Sequence, residues 1–158
     1  MGHNPMIGRT MNGVIGSAII VSLFATTPAM AGPAGARSTG PRVAGPCALT
    51  RIDGEAIQDF SIRIIQCAAD RWPVPGGAET AICIAKRESG LVPTASSATG
   101  QYLGLFQHSA VAWPDRYDEW TRPVWRLNQS ALNGRTNAVV TMRMVNAEGW
   151  GPWSGVGC

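Results

Sequence analysis

The chain has 158 residues, of which 13 are basic and 10 acidic, for a net charge of +3. So small an excess, with no Lys/Arg run or basic stripe, argues against nucleic acid as a partner. The length suits one domain with a real but modest core once a targeting segment is set aside.

Residues 1–31 read as a secretory signal. Arg9 supplies a positive start, Val14 to Ala25 an apolar run, and Ala29-Met30-Ala31 a small-residue cleavage site before Gly32. The apolar run falls short of the ~20 residues a membrane span needs. Export is expected, with no membrane association once the signal is removed. Its removal takes away one basic residue and no acid, so the exported remainder keeps a mild positive excess compatible with an anionic cell wall. Residues 32–46, GPAGARSTGPRVAGP, read as a flexible leader. Residues 47–158 remain as one domain, expected to act as a monomer.

All four cysteines, Cys47, Cys67, Cys83 and Cys158, lie in that domain. An even count in an exported chain predicts two disulfides, with three connectivities open. There is no C-x-x-C pair and one histidine, His108, in the domain, so no metal and no cofactor are expected. A first helix is predicted over about 54–71, with Ile57, Phe60, Ile64, Cys67 and Ala68 on one face, ending at Trp72-Pro73. Cys67 and Cys83 stand equally far from residue 75, so a helical hairpin would bring them level. That favours Cys67 with Cys83, leaving Cys47 with Cys158. The position of Cys83 off the apolar stripe of its own helix argues the other way.

The stretch 83–107, CIAKRESGLVPTASSATGQYLGLFQ, is the candidate for chemistry, and by spacing alone Glu88 is either an ordinary late-helix charge before a connecting loop or a general acid. Ala81, Ile84, Ala85 and Glu88 share one helical face, while Lys86 and Arg87 point elsewhere. A carboxylate set in an apolar stripe is disfavoured when charged, so its pKa rises, as a general acid working near neutrality requires. Gly90 and Pro93 stop the helix. A small polar loop, 94–100, then leads into Tyr102-Leu103-Gly104-Leu105-Phe106 and Gln107, and residues 94–107 as a whole offer a place for a small β element.

Beyond Gln107, His108 to Trp113 is predicted as a short helical turn that Pro114 ends, with His108 structural or solvent-facing rather than catalytic. Residues 114–128 are predicted as a loop whose Tyr117, Trp120 and Trp125 stand among Arg and acidic residues. Such rings serve either as packing or as platforms for sugar faces. A last helix is predicted from about Arg135 to Asn146, with Ala138, Met142 and Val145 on one face.

Glu88-Ser89-Gly90, then Pro93, Ala95, Ser97 and Gly100, then Gly104-Leu105-Phe106-Gln107, follow the order E-S-G, P-x-A-x-S-x-x-G, G-L-[FM]-Q. In this the chain resembles the soluble lytic transglycosylases, lysozyme-like enzymes that cleave peptidoglycan. The tail, Gly149-Trp150-Gly151-Pro152-Trp153 with Cys158, is similar to that of small secreted actinobacterial members. The resemblance spans about residues 55–158. It implies a mainly α, lysozyme-like fold stabilised by disulfides, and peptidoglycan glycan strands as the partner in the cell wall or periplasmic space. By resemblance Glu88 is the catalytic acid and base. Ser97, Tyr102, Phe106, Gln107, Asn137 and Trp150 are the implied substrate-binding residues. The family's late A-Y-N motif reads Val145-Asn146-Ala147 here, so its tyrosine has no counterpart.

Ordinary glycosidases use two carboxylates, whereas lytic transglycosylases use one. Asp115, Asp118 and Glu119 follow the stretch in sequence, and nothing in their spacing marks one as a partner to Glu88. Three readings result. The favoured one is cleavage of the MurNAc–GlcNAc bond to 1,6-anhydro ends. A hydrolytic muramidase of the same fold would carry a second carboxylate about 6–10 Å from Glu88. A non-catalytic wall-binding protein on the same scaffold would keep sugar binding alone. A serine or cysteine hydrolase is not supported, since no base stands beside a nucleophile.

Overall fold

A stripe of apolar side chains at helical spacing becomes α1, Ile57–Arg71, whose Ile64, Ile65 and Ala68 are buried. The helix begins three residues later than the periodicity predicts. Gly54 sits at φ 78°, which no helix accommodates, and the chain turns there with Glu55 N–H donating to Ile52 O at 3.0 Å. Pro73 stops α1, and residues 72–76 turn the chain into α2, Gly77–Ser89.

The computed structural model describes residues 45–121, 125 and 127–158, which belong to one compact unit. The signal segment, 1–31, and the leader up to residue 44 lie outside the described residues, as do 122–124 and 126. Gly45 and Pro46, read from sequence as the end of a flexible leader, are held against the domain. Arg135 donates from Nε to Pro46 O at 2.7 Å and from Nη2 to Gly45 O.

After α2 comes a two-stranded antiparallel sheet, β1 (Tyr102–Leu103) and β2 (His108–Ser109), with Tyr102 opposite Ser109 and Leu103 opposite His108. Then follow α3 (Trp113–Thr121), α4 (Gly134–Glu148) and a 3₁₀ turn, Gly151–Trp153. The described residues thus form a mainly helical domain with a small β element. Two of the sequence expectations change here. His108–Ser109 pairs in the sheet rather than turning as a helix, and Pro114 opens α3 rather than ending a turn. Proline fits the first turn of a helix because the N–H it lacks would have no partner there. Most of the stretch expected as an aromatic loop is therefore α3.

The core lies around α4, which packs against α1 and α3, while α1 packs against α2. α4 is buried on most of its surface, including Ala138, Val139, Val140, Met142 and Val145, and it is capped by Asn133, whose Oδ1 accepts Thr136 N–H at 3.0 Å. Burying each of the valine and methionine side chains contributes about 1.5–3 kcal/mol. A second cluster, Trp113, Tyr117, Leu127, Ala131, Val139 and Val140, joins α3 to α4. Among the described residues no helix is long and apolar enough to cross a membrane.

The disulfides are Cys47–Cys67 and Cys83–Cys158, with Cα atoms 5.8 and 6.0 Å apart. This corrects the pairing that the hairpin symmetry favoured. Cys83 is two residues from both Ala81 and Ala85, about 200° around the helix from each, so it faces away from the packed side. Each helical cysteine instead clamps one terminal segment of the domain. Closing loops of 20 and 75 residues stabilises on the order of 3–5 kcal/mol each in a chain-entropy account.

Candidate functional site

α2 carries Glu88 on its last turn, on the face whose Ala81, Ile84 and Ala85 are buried. The carboxyl is half-buried, and loss of solvation raises its pKa above the ordinary carboxyl value. Among the described residues it takes no hydrogen bond and no ion pair. Gly90 (φ 62°) and Leu91 (φ 63°) both adopt the left-handed conformation and reverse the chain just after it.

Ser89 fastens this helix end to the next segment. Its Oγ lies 2.8 Å from Leu105 O and 3.0 Å from Ala85 O. The polar loop folds back on β1: Ser97 N–H donates to Tyr102 O (3.0 Å), Tyr102 N–H to Ser97 Oγ (3.1 Å), and Gly104 N–H to Ala95 O (2.8 Å). Ser97 thus accepts from the backbone and keeps its own proton to donate. Tyr102 is 50% exposed.

Gln107 is a non-glycine residue at φ 48°. Its Nε2 donates to Gly104 O (2.9 Å) and Ala95 O (3.3 Å), which occupies both amide protons and leaves Oε1 as the group on offer. Gly104, at φ 80°, approaches α4 so closely that a Cβ there would lie 2.2 Å from both Ala131 O and Asn137 Nδ2.

Two of the implied substrate contacts are placed beneath the surface. Phe106 and Asn137 are each 0% exposed. Asn137 accepts Phe106 N–H at Oδ1 (3.1 Å) and donates from Nδ2 to Ala131 O (2.9 Å) and Leu103 O (3.4 Å). Its polar atoms hold backbone, and none is left for a ligand. Phe106 is covered by Trp150 and Trp153, with ring centroids 6.4 and 6.1 Å away, and Trp153 Nε1 donates to Phe106 O at 2.9 Å. Trp150, partly exposed, donates to Pro75 O at 2.8 Å.

His108 is buried and structural. Arg116 Nη1 lies 2.9 Å from its Nδ1, and arginine can only donate, so Nδ1 accepts. Nε2 then carries the proton and faces Thr141 Oγ1 at 2.7 Å, and Thr141 donates onward to Asn137 O at 2.7 Å. Burial first, and the Arg116 charge second, push the His108 pKa down to about 3. The ring is neutral at any physiological pH and ties β2, α3 and α4 together.

Hydrogen bonds thus link the segments that carry Glu88, Ser97, Tyr102 and Gln107, and Asn137, Phe106 and His108 are buried beneath them. The tail bearing Trp150 and Trp153 packs back on the domain, as its sequence suggests, but sequence reading missed the roles of Ser89, Arg116 and Thr141. Ser89 stood inside the motif and could have been found there. The others act across long sequence separations and carry no local signal. A hollow of about 280 Å³ lies elsewhere, lined by Trp113, Pro114, Tyr117, Asp118 and Gln129. It includes none of residues 88–107, and Trp113 Nε1 and Tyr117 OH are already committed to Gln129 O and Leu127 O at 2.7 Å each. Glu88, by contrast, is a desolvated carboxyl of raised pKa, a group able both to give and to recover a proton. Among the described residues no group of three or more His, Cys, Asp or Glu could hold a metal ion. No protein-family model, curated protein or solved structure matches this chain.

Proposed function

We propose that this chain is an exported lytic transglycosylase of lysozyme-like fold, cleaving the β-1,4 bond between MurNAc and GlcNAc in peptidoglycan. The observation that carries the reading is Glu88: a single half-buried carboxyl of raised pKa, without a protein partner among the described residues, tied through Ser89 to the segment bearing Gln107. Two disulfides accord with an oxidising compartment.

In this mechanism the protonated Glu88 gives its proton to the bridging oxygen as the glycosidic bond breaks. The substrate's own N-acetyl group stabilises the positive charge left on the muramyl ring. Glu88, now a carboxylate, takes the proton of the 6-hydroxyl as that oxygen closes onto the anomeric carbon. The proton count returns to its start, and no water is consumed. Gln107 Oε1 accepts from a donor such as an acetamido N–H, the Ser97 hydroxyl donates to a sugar oxygen, and the exposed Tyr102 ring offers a stacking face.

Mass spectrometry of products from purified peptidoglycan tests this. Anhydro-muropeptides from the wild type and none from Glu88→Gln are expected. Reducing ends, one water heavier, would assign a hydrolytic muramidase instead. Binding without products from either would assign a non-catalytic wall-binding protein.

A further inference from the structure

Arg71, at the end of α1, and Arg143, on α4, flank the same pair of indoles. Arg71 Cζ lies 5.5 Å from the Trp72 ring centroid and 5.9 Å from that of Trp125. Arg143 Cζ lies 5.8 and 5.0 Å from the same two centroids. The rings themselves meet edge to face at 5.5 Å. Neither guanidinium has a carboxylate partner. Among the described residues no ion pair within 4 Å joins Arg71 or Arg143 to an Asp or Glu.

A cation over an indole uses the face of the guanidinium and leaves its N–H edges free. Arg71 makes no hydrogen bond among the described residues, and Arg143 gives one N–H to Trp120 O. The rings therefore hold the Arg71 fork and the remaining N–H groups of Arg143 in place without consuming them, which lowers the entropy cost of binding. With no carboxylate within 4 Å of either guanidinium, a bound anion would supply the counter-charge that both lack. One fork is satisfied by a planar carboxylate, but two need an anion with more than two acceptor oxygens.

We propose that Arg71, Arg143, Trp72 and Trp125 form a binding site for a phosphate-type oxyanion. The site stands apart from Glu88. It lies at the turn between α1 and α2, whereas Glu88 is at the far end of α2, about 16 Å along a helix rising 1.5 Å per residue. It holds whether or not the chain cleaves peptidoglycan.

The test is calorimetric and tryptophan-fluorescence titration of the full chain at fixed ionic strength with inorganic phosphate, poly(glycerol phosphate) and poly(glutamate). Saturable binding of both phosphate ligands is expected, with poly(glutamate) at least about tenfold weaker. Tighter binding of the polymer per phosphate group would assign a phosphodiester chain as the ligand, and equal binding the free anion. Arg71→Gln, at an exposed position, and Arg143→Lys, which keeps the charge and removes the fork, should each weaken binding about tenfold. Absence of saturable phosphate binding, equal binding of poly(glutamate), or unchanged affinity in both variants would overturn the proposal.

Discussion

Ser89 Oγ lies 2.8 Å from the carbonyl oxygen of Leu105. One hydroxyl thereby couples the end of the helix that carries Glu88 to the segment that carries Gln107, 16 residues apart in sequence. Ser89→Ala would leave that buried carbonyl unpaired, at a cost of about 1–3 kcal/mol. We expect a lower Tm, together with a fall in turnover larger than any change in KM. Glycan-strand cleavage kinetics alongside thermal unfolding will measure both. Unchanged turnover at reduced stability would show the bond to be structural only.

Glu88→Gln should separate activity from stability. Loss of the acid is expected to reduce glycan cleavage about 10²- to 10⁴-fold. The folded-state pKa is raised, so the folded protein holds this proton above the pH at which the unfolded chain releases it. The associated stability is present in full below pH 4.5 and is lost as pH rises through the folded pKa. Glutamine is never charged, so the variant should melt higher than wild type at pH 7.5, and the gain should vanish at pH 4. Calorimetric scans at the two pH values decide it.

His108 gives the opposite sign. Its folded pKa of about 3 lies below the ordinary 6.5, so the unfolded chain binds the proton more readily. Stability is complete above pH 6.5 and declines as pH falls toward 3. Between pH 5 and 6.5 ordinary carboxylates contribute little, and a Glu88→Gln background removes the opposing term. Urea unfolding in that background should show stability rising with pH, and adding His108→Gln should flatten the slope.

Gly104→Ala combines a left-handed φ of 80° with a Cβ placed 2.2 Å from Ala131 O and Asn137 Nδ2. The Ala131 backbone, just before α4, cannot retreat as a flexible side chain could, and Asn137 is fixed by its own hydrogen bonds. Destabilisation of roughly 3 kcal/mol or more is expected. Gly100→Ala, which meets open space at φ 70°, should cost less. Chemical denaturation of the two variants side by side provides the comparison.

Peptide mapping without reduction should recover Cys47 linked to Cys67 and Cys83 linked to Cys158. Removing the second bridge frees the tail that bears Trp150 and Trp153, the rings covering Phe106. A Cys83→Ser/Cys158→Ser variant should therefore lose about 2–5 kcal/mol and expose Phe106, read as increased binding of a hydrophobic dye.

The reach of the sequence followed the range of the interactions. Helical spacing around Ala81, Ile84, Ala85 and Glu88, the stop at Gly90 and the breaks at Pro73 and Pro93 are local, and they located α2 and its carboxyl. Local too was the expectation of a small β element within residues 94–107, which holds β1 but stops short of β2. Proline at 114 was equally legible, but the same residue suits a helix start or a helix end, and only the packing of Trp113 and Tyr117 against α4 selected the start.

By itself, then, the sequence located the helices that became α1, α2 and α4 but not α3, and showed that four cysteines stand ready to pair and that Glu88 is the carboxyl in an apolar stripe. The tertiary structure decided which way each helix faces its neighbours. That choice turned Cys83 outward to Cys158, buried Asn137 against Phe106 across 31 residues, and joined His108 to Thr141 across 33. A side chain's direction around its own helix follows from spacing, but what it meets depends on how whole elements cross. Burial of a shared core sets that crossing, and no local pattern encodes it.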